Sequence, residues 1–318
     1  MSVFVQQQHT VCNFAGSDSW VILSPIEQSI KRKIESVGTP LKDWDIQINY
    51  GIKTGYNDAF IISTDKRDEI LSHTADYVEG QAEDAYSPAG EYARTAALIR
   101  PILRGRDIKR YGYNWAGLWL IATFPVRHYD IEQYPAVKNY LLSEFGMERL
   151  EQTGRTHIVN GKQIKARKKT NNKWFETQDS ISYWDDFNQP KIVYPNMTKF
   201  LPFFYDENKF LTNQKCFIIT GKHTAFLTAF FNSSLFKFCF TDNFPKLGEE
   251  GRELSKIFFD KIPVLQVTDE LNDAFCAAID DIQKEYTKEK AIAIDTMLFD
   301  LYKLTPSERE QIGFVEIV

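Results

Sequence analysis

From 223 to 240 the apolar side chains Phe226, Leu227, Phe230, Phe231, Leu235 and Phe238 recur at helical spacing over a wide face. A helix that is apolar around so much of its circumference is stable only inside a core, so other elements must be layered around it. The composition supplies the material. With 43% hydrophobic residues, 24 Phe, 15 Tyr and 6 Trp among 318, the chain is far from the class that stays disordered. Its length suits one large domain or two modest ones.

Ser24-Pro25-Ile26-Glu27 is a capping box with Pro at the first helical position, and Ile26, Ile30, Ile34 and Val37 follow at helical spacing. A helix is therefore expected up to 37, stopped by Gly38-Thr39-Pro40. Segments 46–50 and 59–62 are expected as strands around a glycine-bracketed loop, and 117–124 as a buried strand. Further strands are expected at 191–194, 203–205 and 216–220, and a helix at 135–145. The segment 81–91 is polar and reads as loop, whereas 154–172 reads as a mobile loop or β-ribbon. Two amphipathic helices, 269–286 and 289–303, close the chain, the first with Leu271, Phe275, Ile279 and Ile282 on one stripe. The expected class is α+β: a lead-in over 1–23, a body with mixed sheet and helices over 24–263, and a helical segment over 268–318.

No apolar run approaches the roughly 20 residues that cross a bilayer, and residues 1–10 are polar and Gln-rich, so neither a membrane span nor a secretion signal is expected. Cys12, Cys216, Cys239 and Cys276 are widely separated and form no CxxC, which fits reduced core thiols in a cytoplasmic protein and not a zinc site. The net charge of −5 gives a nucleic-acid partner no support by itself, because phosphate binding needs local cations. The distribution differs from the total. Between 153 and 173 stand Arg155, Lys162, Lys165, Arg167, Lys168, Lys169 and Lys173 with no Asp or Glu among them. The acids gather near the C-terminus, at Asp269, Glu270, Asp273, Asp280, Asp281, Glu285 and Glu289.

Three segments carry chemistry suited to nucleic acid. In Gly51-Ile52-Lys53-Thr54-Gly55-Tyr56-Asn57 the glycines permit close backbone approach, Lys53 supplies charge and Thr54 a hydroxyl, with Gly55 and Asn57 beside them. The order differs from a nucleotide-hydrolase P-loop, and on spacing alone a tight hairpin turn is the simpler reading. Leu103-Arg104-Gly105-Arg106-Asp107-Ile108-Lys109-Arg110-Tyr111 sets four cations around one acid. An Arg fork grips a guanine edge or a phosphate, although an internal pair between Asp107 and an Arg in a charged turn is the common alternative. The basic run, followed by Trp174 and Phe175, is suited to tracking a phosphate backbone.

Enzyme signatures are thin. GxSxG, HExxH and GxGxxG are absent, and His128 reads as structural before it reads as a general base. Asp107-Ile108-Lys109 matches half of a nuclease D-x-K element without an upstream acid to complete it. A stand-alone nuclease using Asp107 and Lys109 is one alternative, and a protein-interaction scaffold that never touches DNA is another.

The phrases around 51–62 and 103–111, with Trp119-Leu120-Ile121, Tyr134-Pro135-Ala136-Val137-Lys138, Lys191-Ile192-Val193-Tyr194-Pro195 and Phe231-Asn232-Ser233-Ser234-Leu235, resemble in content and order the TaqI-like C-terminal specificity domain. That domain occurs in type IIG restriction-modification enzymes and adenine-specific DNA methyltransferases. The resemblance spans roughly 44–263, and 294–304 looks like the tail of such enzymes. It implies a module that reads double-stranded DNA for a methyltransferase, and for a nuclease in some relatives, and that carries no catalytic or metal-binding residue. S-adenosylmethionine and magnesium are expected in those catalytic parts. Their glycine-rich loop and NPPY-type tetrapeptide are not found in this sequence, so the chain is expected to be a piece of a longer polypeptide or a separate specificity subunit, inactive alone. On this reading Arg104, Arg106 and the 155–173 stretch, with Lys162, Lys165, Arg167, Lys168, Lys169 and Lys173, are candidates for base reading. Lys53, Thr54, Lys109 and Arg110 are candidates for phosphates, and Gly55, Asn57 and Tyr111 complete the contact set.

Overall fold

Ser24 starts its helix as its spacing with Glu27 predicts. Its hydroxyl accepts the Glu27 N–H and the Glu27 carboxylate accepts the Ser24 N–H, capping Pro25–Val37 with Ile30 and Ile34 buried. The computed structural model describes residues 24–199, 201–248 and 251–315, so the expected lead-in over 1–23, with Cys12, lies outside the described residues. By compactness the chain divides into two units. One is formed by Gln47–Asn196 with Phe204–Thr220, the other by the described residues of Met1–Ile46, Met197–Phe203 and Gly221–Val318. Both belong to an α+β architecture of small sheets and helices.

The second of these units is mainly helical. The apolar stretch 223–240 is not one helix but two, Thr224–Asn232 and Ser234–Phe240. Ser233 makes the break: its backbone is extended and its hydroxyl accepts the Phe236 N–H, so it starts a new helix where periodicity alone predicts continuation. The buried Asp295 carboxylate takes the Ser234 N–H at 2.9 Å and the Ser234 hydroxyl at 2.5 Å, fastening Lys288–Leu301 to that new start. Asp269–Lys284 buries Phe275, Ile279 and Ile282, and Phe275 meets Phe226 edge to face. The strand Gly38–Pro40 pairs antiparallel with Pro263–Leu265. The segment 263–268 lies within this unit, entered by a strand paired to the residues after the first helix.

Glu308 closes Pro25–Val37 against Pro306–Ile312. Lys33 donates to it at 2.6 Å and Ser29 at 2.7 Å, and the Thr305 N–H caps onto it at 2.7 Å. Burial acts to raise this carboxyl, but those bonds outweigh it and hold it at about 2. A depressed carboxyl stabilises the fold fully above its unfolded value of about 4.3 and stops doing so as pH falls toward 2. Glu308→Gln is expected to cost up to about 3 kcal/mol at pH 7 and progressively less between pH 4 and pH 2. Urea unfolding at pH 7 and pH 3 checks this, and a deficit equal at both contradicts it.

The other unit holds the main sheets. Phe204–Asp206, Lys191–Pro195, Cys216–Gly221 and Ile46–Tyr50 form one four-stranded sheet in that order. Leu211–Thr212, Ile99–Leu103, Leu118–Ile121 and Ile61–Ser63 form a second. The second is mixed, since Leu211–Thr212 runs parallel to Ile99–Leu103 while the other pairings are antiparallel. One core joins them, with Phe60, Ile102, Leu120, Val137, Phe187, Val193 and Ile218 all buried. Ala59 and Phe60, expected in a strand, lie in the helical turn Asn57–Phe60, and the strand begins one residue later. The helix Pro135–Phe145 stands as expected, and 154–172 contains a hairpin of Thr156–Val159 with Lys162–Lys165.

Candidate nucleic-acid interface

The hairpin turns on Asn160 and Gly161, both at positive φ, the condition for the two-residue type I′ turn that matches strand twist. Its stem is rooted: Gly154 and Arg167 pair by backbone, as do Ala166 and Arg155, and Arg167 N–H reaches the Glu151 carbonyl. The Arg149 guanidinium lies over the Tyr56 ring and bonds the Lys165 carbonyl. Beyond the stem, Arg155, Lys162, Lys165, Lys168, Lys169 and Lys173 are exposed. The side chain of Lys173 lies beside the Phe175 ring.

Arg167 departs from this pattern and is corrected from a contact candidate to a structural one. It is 4% exposed, and its guanidinium donates to backbone carbonyls throughout. Nε reaches Leu150 at 2.7 Å, Nη1 reaches Thr54 at 3.1 Å and Glu176 at 2.9 Å, and Nη2 reaches Trp174 at 2.7 Å and Glu176 at 2.9 Å. Burial pushes its pKa down and the nearby Glu176 pulls it back. Thr54 is corrected with it. It is fully buried, its hydroxyl is given to Asn57 at 2.7 Å, and its carbonyl accepts from Gln178 and Arg167, so no hydroxyl faces outward there. Arg167 thus ties the root of the hairpin to the 51–57 loop. In that loop Lys53 is half-buried beside Asp179, while Gly55 and Asn57 are exposed. Gly55 has φ +79, and a side chain there would meet Gln178.

The same loop reaches the 104–111 segment through 212–216. Gly51 packs on the Asn213 carbonyl, Ile52 donates to Thr212, and Asn213 donates to the Leu103 carbonyl. The three segments that sequence chemistry singles out are therefore contiguous in one unit. In the 104–111 segment Arg104 is held by Asp107 through two guanidinium bonds, 3.0 Å from Nε and 2.8 Å from Nη2, which also hold Arg104 above its ordinary pKa. Asp107 in addition takes the Arg104 N–H at 2.8 Å. The internal pair is the arrangement found, and it fixes the orientation of Arg104 while leaving its Nη1 outside the pair. It also removes Asp107 from any metal, since both carboxylate oxygens are occupied by a cation and the residue is buried. The nuclease alternative built on Asp107 and Lys109 loses its acid this way. Among the described residues no group of three or more His, Cys, Asp or Glu gathers as metal ligands. Tyr111 is buried at φ +58 and presents no exposed surface, which corrects it from the contact set, and Arg110 is half-buried against its ring. Arg106 and Lys109 remain exposed, and Gly105 packs on Lys215, a further exposed cation absent from the sequence reading because it stands alone in its segment. Burial pushes the Cys216 and Cys239 thiols up, the latter to about 12, which suits inert core positions.

The TaqI-like C-terminal specificity domain matches residues 100–264, a stretch that carries the Arg104–Asp107 turn, the hairpin and the Ser233 helix break. The chain belongs to that family. The match runs through both units of this specificity domain and leaves the 51–57 loop outside it. Among solved structures it is similar to the type IIG restriction endonuclease BpuSI, at 12% identity and TM-score 0.49, covering 88% of this chain and 34% of that one. It is also similar to the type IIL restriction-modification enzyme MmeI in complex with DNA, at 12% identity and TM-score 0.44, covering 86% and 32%. The chain spans about a third of the length of either. No curated protein matches the sequence. Among the described residues no helix is long and apolar enough to cross a membrane.

Proposed function

We propose that this specificity domain binds double-stranded DNA and reads a short target sequence for a methyltransferase, with or without a nuclease, located elsewhere in the same polypeptide or in a separate subunit. The observation that carries this reading is the hairpin and its root, where Lys162, Lys165, Lys168, Lys169, Lys173 and Arg155 are exposed and no acid falls between 153 and 173. Cations so placed in a protein of net charge −5 attract polyanions locally while the rest of the surface does not. Phosphate contacts position such a module, and base-edge contacts specify its site. Arg106, Lys109 and Lys215 border the contiguous 51–57 and 104–111 loops and extend the same charge. Chemistry on adenine needs the base flipped into a pocket of the methyltransferase, and the role of this chain is to hold the duplex in register for that step. S-adenosylmethionine and magnesium belong to those catalytic parts, and the compartment is the cytoplasm, where the DNA is.

The test is a titration of labelled mixed-sequence duplex with the full chain. Binding is expected at low salt and should weaken steeply as salt rises, because each neutralised phosphate releases counterion. Absence of duplex binding at low salt would overturn the reading in favour of a protein-interaction scaffold.

A further inference from the structure

The outer face of the hairpin is not a plain strip of cations. Its register sets Thr156 opposite Lys165 and Ile158 opposite Gln163. Directly opposed residues and those two positions along a strand share a face, so Thr156, Ile158, Gln163 and Lys165 stand together. All four are exposed, Ile158 to 75%. The reverse face carries His157, Val159 and Ile164, all half-buried, together with the exposed Lys162, and the His157 ring is bonded to Glu151 at 2.5 Å. The hairpin therefore has one face that is largely half-buried and one whose four side chains are all exposed. A β-branched apolar side chain opposite an amide on that exposed face is available to a ligand that would take it out of water.

The dimensions and chemistry of that face single out one ligand. Two strands spaced by about 4.8 Å, each about 13 Å long, fit a B-DNA major groove about 12 Å wide, and such a groove admits a two-stranded ribbon. Lys165 on this face, Lys162 on the other, and Lys168 and Lys169 just after the second strand are exposed and supply charge for phosphates. Gln pairs through two hydrogen bonds with adenine N6 and N7, and an apolar side chain contacts the thymine methyl. Opposed side chains lie within about 5 Å of each other, against a rise of about 3.4 Å per base pair, so Gln163 and Ile158 fall on one pair or on adjacent pairs.

We infer that the face formed by Thr156, Ile158, Gln163 and Lys165 enters the major groove and reads an A·T pair, Gln163 on the adenine edge and Ile158 against the thymine methyl. The inference rests on the reading that this hairpin meets duplex DNA, and it assigns the base-reading role to two residues that are not cations.

The experiment selects duplexes from a random-sequence library with the full chain and with the Gln163→Ala and Ile158→Ala variants. Both side chains are exposed, so thermal melting of the variants should match the parent. The parent is expected to enrich a motif containing an A·T pair that the Gln163→Ala pool no longer specifies. Affinity of Gln163→Ala for the selected duplex should fall by roughly ten- to a hundredfold, with affinity for unselected duplex unchanged. Replacing that adenine by 7-deazaadenine should weaken the parent and leave Gln163→Ala indifferent, and replacing the thymine by uracil should do the same for Ile158→Ala. Variants that select the same motif with the same stringency overturn the inference while the DNA-binding reading stands. So does a parent that binds duplex and enriches no motif. A parent that binds no duplex overturns both.

Discussion

Arg167→Met is expected to destabilise the protein by about 3–5 kcal/mol, although it deletes a residue in the middle of a basic run that looks solvated. The Arg167 donors reach four backbone carbonyls in a buried site. The Glu176 carbonyl keeps Gln152 and the Thr54 carbonyl keeps Gln178, but Leu150 and Trp174 lose the donor that Arg167 supplies. A buried carbonyl left unpaired costs roughly 1–3 kcal/mol, and two of them with the lost packing over Phe60 give the stated range. Arg167→Lys should recover little, since an ammonium cannot span carbonyls that a planar fork joins. Urea denaturation measures the loss, and hydrogen exchange should show 150–178 opening first. A change below about 1 kcal/mol would return Arg167 to the surface set.

The second large effect is expected at Lys191 and Asp206, which face each other across Lys191–Pro195 and Phe204–Asp206 with both side chains 0% exposed. Lys191 Nζ lies 2.5 Å from Asp206 and 2.9 Å from the Phe187 carbonyl, and Asp206 also accepts the N–H groups of Asn208 and Phe210. Burial pushes the Lys191 ammonium down while Asp206 pulls it back up. Lys191→Met strands a buried carboxylate and should cost about 3–5 kcal/mol. Asp206→Asn keeps an oxygen for Asn208 and Phe210 but removes the counter-charge, so the lysine is left to lose its proton. Chemical unfolding at pH 7 reads both effects, and a Lys191→Met protein as stable as its parent contradicts the pair.

Much of this architecture is legible where one side chain dictates one local geometry. Ser24 with Glu27 and Pro25 predicts a helix start, Pro135 predicts another, and both stand where expected. Asn160-Gly161 is a two-residue hairpin signal that points to the ribbon, whereas the flanks 156–159 and 162–165 lack an apolar alternation that would tell its two faces apart. Other features depend on what arrives from far along the chain. Ser233 interrupts an unbroken apolar pattern because its hydroxyl caps a new helix that Asp295 fixes, and neither bond has a signature in spacing. Thr64–Ser72 and Glu91–Leu98 carry few apolar residues at helical spacing and are held by packing. Within the basic run, charge marks the segment but not which cation turns inward. Ala166 and Phe175 are buried near Arg167, and only the folded carbonyls of Thr54, Leu150, Trp174 and Glu176 explain why that one is. Arg104 shows the same limit from the other side, since the acid three residues on fixes its orientation, which charge alone does not reveal.

The central claim, that the hairpin and its root form the phosphate-contacting surface of a DNA-reading domain, is tested most directly by the salt dependence of duplex affinity. The full chain is to be compared with a variant carrying Lys162→Ala, Lys165→Ala, Lys168→Ala and Lys169→Ala, all exposed positions whose loss should leave urea unfolding unchanged. The plot of log affinity against log salt is predicted to be shallower in the variant by roughly 3–4 in slope, about 0.9 per lost phosphate contact. Equal slopes in the two proteins would contradict it.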